Sequence, residues 1–372
     1  MPKLSSIYGQ DAALKALRRA LESDCLSGTY LFVGPDGSGK SALALAFAQA
    51  AACLAPVPLP FESCGDCESC RTLARGAQSE IITVRPVGEQ LQIWQLWDRP
   101  GRPVGALSRN LSYSPVIGRR RVTVIEQADR LTESAANSLL KILEEPPPYA
   151  LFILLAPHPA RVLPTILSRS QIVRVRAVST HELAEYLRSA FGIESDRAAM
   201  LAAYSEGRIG QAVTLASAPA IADEIARILD FAEGLPCAPA VRALRAAEQL
   251  RKLAAQTKAL LGEEPTDAGE APGDESEPGG KKEKTARKQF AAVLDLLVTF
   301  YRDLLALSTN PATESLVYRD RRDTLSRLSP LGAPARWAGC LDALLLARRR
   351  LDANANTTLV TEILLMQLLA TV

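Results

Sequence analysis

Residues 29–41 read TYLFVGPDGSGKS. Within them, Gly34-Pro35-Asp36-Gly37-Ser38-Gly39-Lys40-Ser41 fits the G-x-x-x-x-G-K-[ST] pattern without a mismatch, between an apolar run and a helical pattern. The glycines allow successive backbone N–H groups to surround phosphate oxygens, and the helix N-terminus adds partial positive charge. We expect Lys40 to reach the β- and γ-phosphates and Ser41 to complete a Mg²⁺ shell. The alternative is a chance glycine-rich turn.

Further apolar runs alternate with helical patterns through residues 1–177. Short runs rich in Ile, Leu, Val or Phe are typical of parallel strands that are buried on both faces. The pattern predicts a three-layer α/β domain with a parallel sheet. The expected strands are Tyr30–Val33, Ile81–Arg85, Val122–Ile125, Leu151–Leu155 and Ile172–Arg176.

The remaining chain is predicted to be helical. Ser179 and Glu182 form a capping-box pattern, which opens a small helical lid domain over residues 178–219. Residues 220–372 carry longer helical periodicities, as expected for an all-α collar domain that holds subunits together. Residues 263–288 are rich in Gly, Pro, Glu and Lys, and we expect a disordered insertion there because they cannot bury enough apolar surface.

The bulk composition is that of a globular protein. The 372 residues are 48% hydrophobic and 23% charged, with a net charge of +2, and their number suggests two or three domains. A nearly balanced charge indicates that any contact with DNA is local or shared with partners. The N-terminal region has no apolar signal core, so we expect a cytoplasmic protein with reduced cysteines.

Four cysteines form a C-x10-C-x2-C-x2-C cluster, at Cys53, Cys64, Cys67 and Cys70. Four thiolates at this spacing suit a tetrahedral Zn²⁺, and four sulfur ligands leave no open position for catalysis, so the predicted zinc is structural. Unliganded cytosolic thiols and a disulfide pair are the alternatives.

A second acidic motif follows the apolar run 121–125. Glu126 stands where P-loop ATPases keep a Mg²⁺-associated carboxylate, the Walker B position. Gln127 follows it, and a neutral amide cannot accept a proton from an attacking water. Asp129 either compensates or serves as a turn or capping residue. The motif predicts nucleotide binding with impaired hydrolysis.

Two later stretches carry a specific resemblance. Residues 132–147, TESAANSLLKILEEPP, and residues 163–170, LPTILSRS, resemble conserved blocks of the bacterial DNA polymerase III clamp-loader subunits, which are AAA+ proteins. The resemblance covers residues 1–215. It implies that Arg169 is a finger acting in trans on ATP held by a neighbouring subunit, that the zinc insertion is a family feature, and that Tyr8-Gly9-Gln10 lies beside the adenine.

Departures from the family pattern indicate which kind of subunit this is. Active members carry Asp-Glu at positions 126 and 127, Thr or Ser at Ala156, and a lid arginine at Gly210. Loss of these elements implies a non-motor stator, a component of the DNA polymerase (nucleotidyltransferase) holoenzyme with no ATPase activity of its own. The implied partners are the other subunits of a hetero-pentameric ring, gamma/tau and delta, with the sliding clamp and primer-template DNA. Alternatives are an active gamma/tau-type ATPase and a P-loop regulator unrelated to replication.

Overall fold

The computed structural model describes residues 3–58, 61–75, 80–88, 90–111, 113–217, 219–257, 278–313 and 316–370. The chain divides into two compact units. The first is Met1–Leu183 with Glu206–Gly210, and the second is Ala184–Ser205 with Gln211–Val372. The predicted domain bounds, 1–177, 178–219 and 220–372, stay a prediction.

The first unit contains a five-stranded sheet in which every pair of neighbouring strands is parallel. All five predicted strands are present, which confirms the α/β fold class. In spatial order they are β4 (Ile81–Val84), β5 (Arg121–Ile125), β6 (Ala150–Ala156), β1 (Thr29–Val33) and β7 (Gln171–Arg174). A separate two-stranded hairpin, β2 (Val57–Pro58) and β3 (Phe61–Glu62), was not predicted, because two-residue strands leave no periodic signal.

Side chains of the central strands alternate between two buried layers. Tyr30 and Phe32 of β1 face one apolar cluster, whereas Leu31 and Val33 face the other. Helices cover both faces, so the sheet is the middle of three layers. The helices of the first unit are α1 (Asp11–Glu22), α2 (Lys40–Ala52), α3 (Glu68–Ala74), α4 (Ile93–Leu96), α5 (Ala106–Leu111), α6 (Glu133–Glu144) and α7 (Pro164–Leu167).

Helix α6 is built from the clamp-loader-like block. Its first turn is capped by Thr132, whose Oγ1 accepts a hydrogen bond from the Ala135 backbone N–H at 3.3 Å. Leu139 and Leu143 are buried against the sheet. The helix ends at Glu144, just before the Pro146-Pro147 pair.

The second unit is helical throughout its described part. It is centred on α13, which packs against α11, α12, α14 and α15. Trp337 of α15 and Tyr301 of α13 are fully buried there. The helices are α8 (Thr180–Phe191), α9 (Ser195–Tyr204), α10 (Ile209–Ser217), α11 (Pro219–Gly234), α12 (Ala243–Gln256), α13 (Pro278–Thr309), α14 (Arg322–Leu328), α15 (Pro334–Asp352) and α16 (Thr357–Ala370), of which α8 and α10 begin in the first unit.

Two local predictions have different outcomes. The capping box before α8 is confirmed, since Glu182 accepts a hydrogen bond from the Ser179 N–H at 3.1 Å and the Ser179 hydroxyl accepts one from the Glu182 N–H at 3.2 Å. Of the predicted disordered insertion, 263–288, residues 263–277 lie outside the described residues. Residues 278–288 are instead the first turns of α13. Their Lys, Glu, Arg and Ala residues favour helix, and the apolar pattern that follows continues it.

None of the helices in the described part of the chain is long and apolar enough to cross a membrane.

Candidate nucleotide site and metal centre

The glycine-rich loop joins the end of β1 to the start of α2. Its first glycine is required by packing, because a Cβ on Gly34 would stand 2.0 Å from the backbone oxygen of Val175. Gly37 and Gly39 have φ angles of 78° and 92°, a region that side-chain-bearing residues rarely adopt. The loop therefore has the backbone form that the motif predicts.

Lys40 lies at the N-terminus of α2 and is 8% exposed. Its Nζ donates hydrogen bonds to the carbonyl oxygens of Gly34 at 2.6 Å and Pro35 at 2.8 Å, and lies 3.4 Å from a carboxylate oxygen of Asp36. Burial lowers the pKa of Lys40, and the Asp36 carboxylate opposes that shift. The closest contacts of the ammonium group are thus two neutral carbonyl oxygens within the loop. The charged oxygens of a phosphate would compete strongly with these carbonyl oxygens for the ammonium group.

Ser38 is fully buried within the loop and is not among the residues that line the cavity in front of it. Its Oγ has no hydrogen-bond partner among the described residues. This hydroxyl does not face the space where a phosphate would bind, so the fit rests on the open side of the loop. The loop, the helix N-terminus and the Lys40 ammonium fit a nucleotide phosphate, with Ser41 beside them for Mg²⁺.

A cavity of about 410 Å³ opens in front of this loop. It brings together the predicted phosphate-loop and Walker B residues, and also the three positions where the chain departs from active clamp-loader subunits. Its lining consists of Asp36, Gly37, Gly39, Lys40, Ser41, Ala42, Glu126, Gln127, Asp129, Arg130, Leu155, Ala156, Pro157, Arg161 and Gly210.

The carboxylate of Glu126 is already paired. Arg85, which follows β4, donates from Nε to Glu126 Oε2 at 3.1 Å and from Nη2 to Oε1 at 3.4 Å. Gln127 follows with a φ of 53°, and a 3₁₀ turn, Ala128–Arg130, begins after it. The residue that replaces the family's glutamate is therefore both neutral and in a strained backbone conformation.

The other two departures also face the cavity. Ala156 ends β6 and offers a methyl group where a hydroxyl is usual in the family. Gly210 donates its backbone N–H to the Gly37 oxygen at 2.9 Å, so this position touches the phosphate loop itself. Tyr8-Gly9-Gln10 is not part of the described lining. Gln10 instead exchanges two hydrogen bonds with the Arg176 backbone.

Arg169 lies elsewhere, beyond the end of α7, and is not among the residues that line the cavity. Its guanidinium donates to the Glu144 carboxylate at 3.1 Å and to the Thr165 carbonyl oxygen at 3.1 Å. The Arg169 side chain is 30% exposed, and that of Glu144 is 59% exposed. The Arg169 side chain is thus partly exposed and lies outside the described cavity lining.

The four clustered cysteines meet at one point. Their sulfur atoms all lie within 4.8 Å of one another. Cys53 Sγ is 3.6 Å from that of Cys64, 3.9 Å from that of Cys67 and 3.8 Å from that of Cys70. Tetrahedral Zn²⁺ with Zn–S bonds of about 2.3 Å requires sulfur atoms about 3.8 Å apart, whereas a disulfide requires about 2 Å. The geometry therefore suits a metal ion and excludes disulfides among these four.

Local structure brings these thiols together and shifts the pKa values of Cys53 and Cys67 in opposite directions. Cys53 ends α2, Gly65 turns the chain with a φ of 86°, and Cys67 caps α3. Burial raises the pKa of Cys53 to about 12. Burial acts in the same direction on Cys67, but hydrogen bonds from the backbone N–H groups of Cys70 and Leu54 outweigh it and lower that pKa to about 6.

The fold and the site together define a class of protein. A parallel α/β sheet, a glycine-rich loop between β1 and α2, and an acidic strand β5 separated from β1 by β6 are those of an AAA+ P-loop domain. The comparisons with known proteins identify the relatives within that class. A family model described as DNA polymerase III, delta subunit, matches residues 9–179.

The most informative relative is the DNA polymerase III subunit delta' of Bacillus subtilis (strain 168), which is 27% identical over 362 residues, or 96% of each chain. The gamma/tau subunit of Mycobacterium tuberculosis (strain ATCC 25618 / H37Rv) is 35% identical over 171 residues, which are 45% of this chain and 27% of that protein. The chain is thus similar to DNA polymerase III delta', gamma and tau subunits, and the similarity to delta' extends over nearly its whole length.

Among solved structures, a DNA polymerase III gamma-subunit-related protein of Thermotoga maritima aligns over 91% of this chain and 99% of its own. The TM-score is 0.39 and the identity is 17%, so this similarity adds nothing to the assignment.

Three residues of the site were missed at the sequence level. Arg85 follows β4 as Glu126 follows β5, and the parallel register of Val84 with Ile125 places the two side by side. Glu144 lies 25 residues from Arg169, and nothing in the sequence indicates the pairing. Gln49 of α2 is buried and hydrogen-bonds the Cys70 thiol, which lowers the pKa of that thiol against the stronger effect of burial.

Proposed function

We propose that this chain is the delta prime-like stator subunit of a bacterial DNA polymerase III clamp loader. One observation carries the proposal. The nucleotide cavity keeps its phosphate loop but presents Gln127, Ala156 and Gly210 where an active ATPase needs reactive groups, while Arg169 stands accessible outside that cavity. A chain of this kind holds nucleotide without turning it over and supplies an arginine to another active site.

In this function, Arg169 stabilises the charge that develops on the γ-phosphate of ATP bound to a neighbouring gamma/tau-type subunit. The helical second unit anchors the chain, with delta, in a hetero-pentameric ring. The ring uses ATP to open the sliding clamp and place it on primer-template DNA in the cytoplasm. Full-length similarity to a delta' subunit supports these partners.

The cysteine cluster is proposed to hold one structural Zn²⁺. All four thiols are engaged by the ion, so it has no position for a substrate. In its described residues, the module 53–74 contains a hairpin of two short strands and one short helix, and it has little apolar core of its own. A metal ion provides the cross-link that such a module needs.

An active gamma/tau-type ATPase is the second candidate. The intact phosphate loop favours it, as does the higher local identity to gamma/tau relatives. The paired Glu126 and the neutral Gln127 oppose it, since neither side chain is free to accept a proton from an attacking water.

A single-turnover experiment separates the two candidates. The purified chain is mixed in excess over labelled Mg·ATP, and binding and cleavage are followed together, with Lys40→Ala as the non-binding control. The stator function predicts bound, uncleaved ATP, and rapid cleavage by the isolated chain contradicts it. A second assay omits the chain from a loader reconstituted with gamma/tau and delta, and loss of clamp loading is expected.

A further inference from the structure

Among the three carboxylates that line the nucleotide cavity, those of Glu126 and Asp129 have different environments. Glu126, at the Walker B position, is paired with the Arg85 guanidinium through both carboxylate oxygens. A two-point arginine–carboxylate pair uses the oxygens that a magnesium shell would need. To serve the ion, Glu126 would have to leave Arg85.

Asp129, in contrast to Glu126, has a carboxylate oxygen without a hydrogen-bond partner in the described part of the chain. Its Oδ1 is buried and has no hydrogen-bond partner among the described residues. Asp129 lines the same cavity as Lys40 and Ser41. A buried carboxylate oxygen without a donor is costly, and in native proteins such atoms usually have an ion, a water molecule or a ligand as partner.

The backbone before Asp129 is arranged for this position. Gln127 adopts a φ of 53°, which is rare for a residue that is neither Gly nor Asn, and the 3₁₀ turn Ala128–Arg130 begins directly after it. Strain of this kind concentrates at functional sites, where the surrounding structure maintains it. Here the tight turn is what brings Asp129 to the cavity wall.

The cavity lining carries three acidic and three basic side chains, and Lys40 is the buried cation among them. Lys40 is buried at the same cavity, and the Asp129 charge acts on it favourably. However, the Lys40 ammonium is engaged by the Gly34 and Pro35 carbonyl oxygens and by Asp36. No ion pair links it to Asp129 among the described residues.

The geometry points to Asp129, and not Glu126, as the carboxylate that supports the Mg²⁺ of a nucleoside di- or triphosphate bound at this phosphate loop. The inference rests on the proposed function in taking the loop as a nucleotide site. Mg²⁺ keeps several waters and needs only one or two carboxylates besides phosphate oxygens, so a single aspartate suffices, directly or through a water. Glu126 then needs no role in holding the ion and keeps its pair with Arg85.

The test measures the affinity of the full chain for a fluorescent ADP analogue, with Mg²⁺ and with EDTA. The quantity of interest is the gain in affinity that Mg²⁺ confers. Asp129→Asn is expected to reduce this gain by about 10-fold or more, the usual effect of losing a group that supports a metal ion, and to leave binding in EDTA unchanged. Glu126→Gln, the matched control, is expected to change the gain by less than about 2-fold.

Asp129→Glu keeps the carboxylate and is expected to recover most of the lost gain. The proposal is overturned if Glu126→Gln abolishes the gain while Asp129→Asn does not, if the Asn and Glu variants at 129 behave alike, or if the unaltered chain shows no gain. Failure of the stator function is separately visible, since the clamp-loading assay depends on assembly and Arg169 and not on nucleotide held by this chain.

Discussion

Arg169→Ala is the most direct perturbation of the proposed function. An arginine supplied in trans to a phosphoryl-transfer site accelerates it about 10³–10⁵-fold, or about 4–7 kcal/mol at 1.36 kcal/mol per tenfold. Arg169 must release Glu144 to act in this way. That contact is an ion pair with side chains 30% and 59% exposed, so it contributes at most about 1 kcal/mol. The catalytic gain therefore far exceeds the cost of freeing the arginine.

The assay is the pre-steady-state burst of ATP hydrolysis by a reconstituted loader with clamp and primed DNA. Only the ATP site that faces this chain should lose its arginine. The burst amplitude should therefore fall by one ATP per complex, while the other sites still hydrolyse ATP. Arg174→Ala is the matched control, because Arg174 is an exposed arginine on β7 of the same unit. A full burst from an assembled Arg169→Ala complex would refute the finger role, and a complex that fails to assemble would show that Arg169 is structural.

Three further predictions address the neighbouring features. Glu144→Gln should change turnover by less than about 5-fold, since it removes only an exposed ion pair; the same burst assay measures this. Chelation should release about one Zn²⁺ per chain and lower the melting temperature by several degrees. Cys70→Ser should reproduce both effects. A metal-free chain with an unchanged melting curve contradicts a structural site. Gly34→Ala should abolish nucleotide binding in the assay with the fluorescent ADP analogue, because the new Cβ would stand 2.0 Å from the Val175 oxygen. Gly339→Ala, at a position with open space around it, should leave that binding unchanged.

Short-range signals explain which features were predictable. The central strands β1 and β6 are contiguous runs buried on both faces of the sheet, whereas in the edge strand β7 only Val173 is buried. The phosphate loop and the cysteine cluster are local patterns whose chemistry is set by spacing over fewer than twenty residues. In each case the sequence signal lies within one short segment, although the strands themselves pair with strands far along the chain.

Long-range pairings were not predictable in the same way. The Arg85–Glu126 pair depends on which strands are neighbours and on their register, and one residue of slip would separate the two side chains. In the second unit, the fully buried Asp303 accepts hydrogen bonds from the backbone N–H groups of Val317 and Tyr318, both at 2.9 Å. An isolated aspartate in an apolar helix gives no indication of the loop it will hold.

The intact phosphate loop is weaker evidence for ATP turnover than its motif suggests, because much of it is required by the fold. Gly34 is fixed by its approach to the Val175 backbone, and Gly37 and Gly39 by their positive φ angles. Lys40 also closes the loop on its own carbonyl oxygens. These constraints hold whether or not a phosphate is ever cleaved. Hydrolysis depends instead on a reactive carboxylate, and Gln127 can be changed without disturbing any of these contacts. A subunit that loses catalysis therefore keeps its phosphate loop, and the residues facing the loop are the better guide to function.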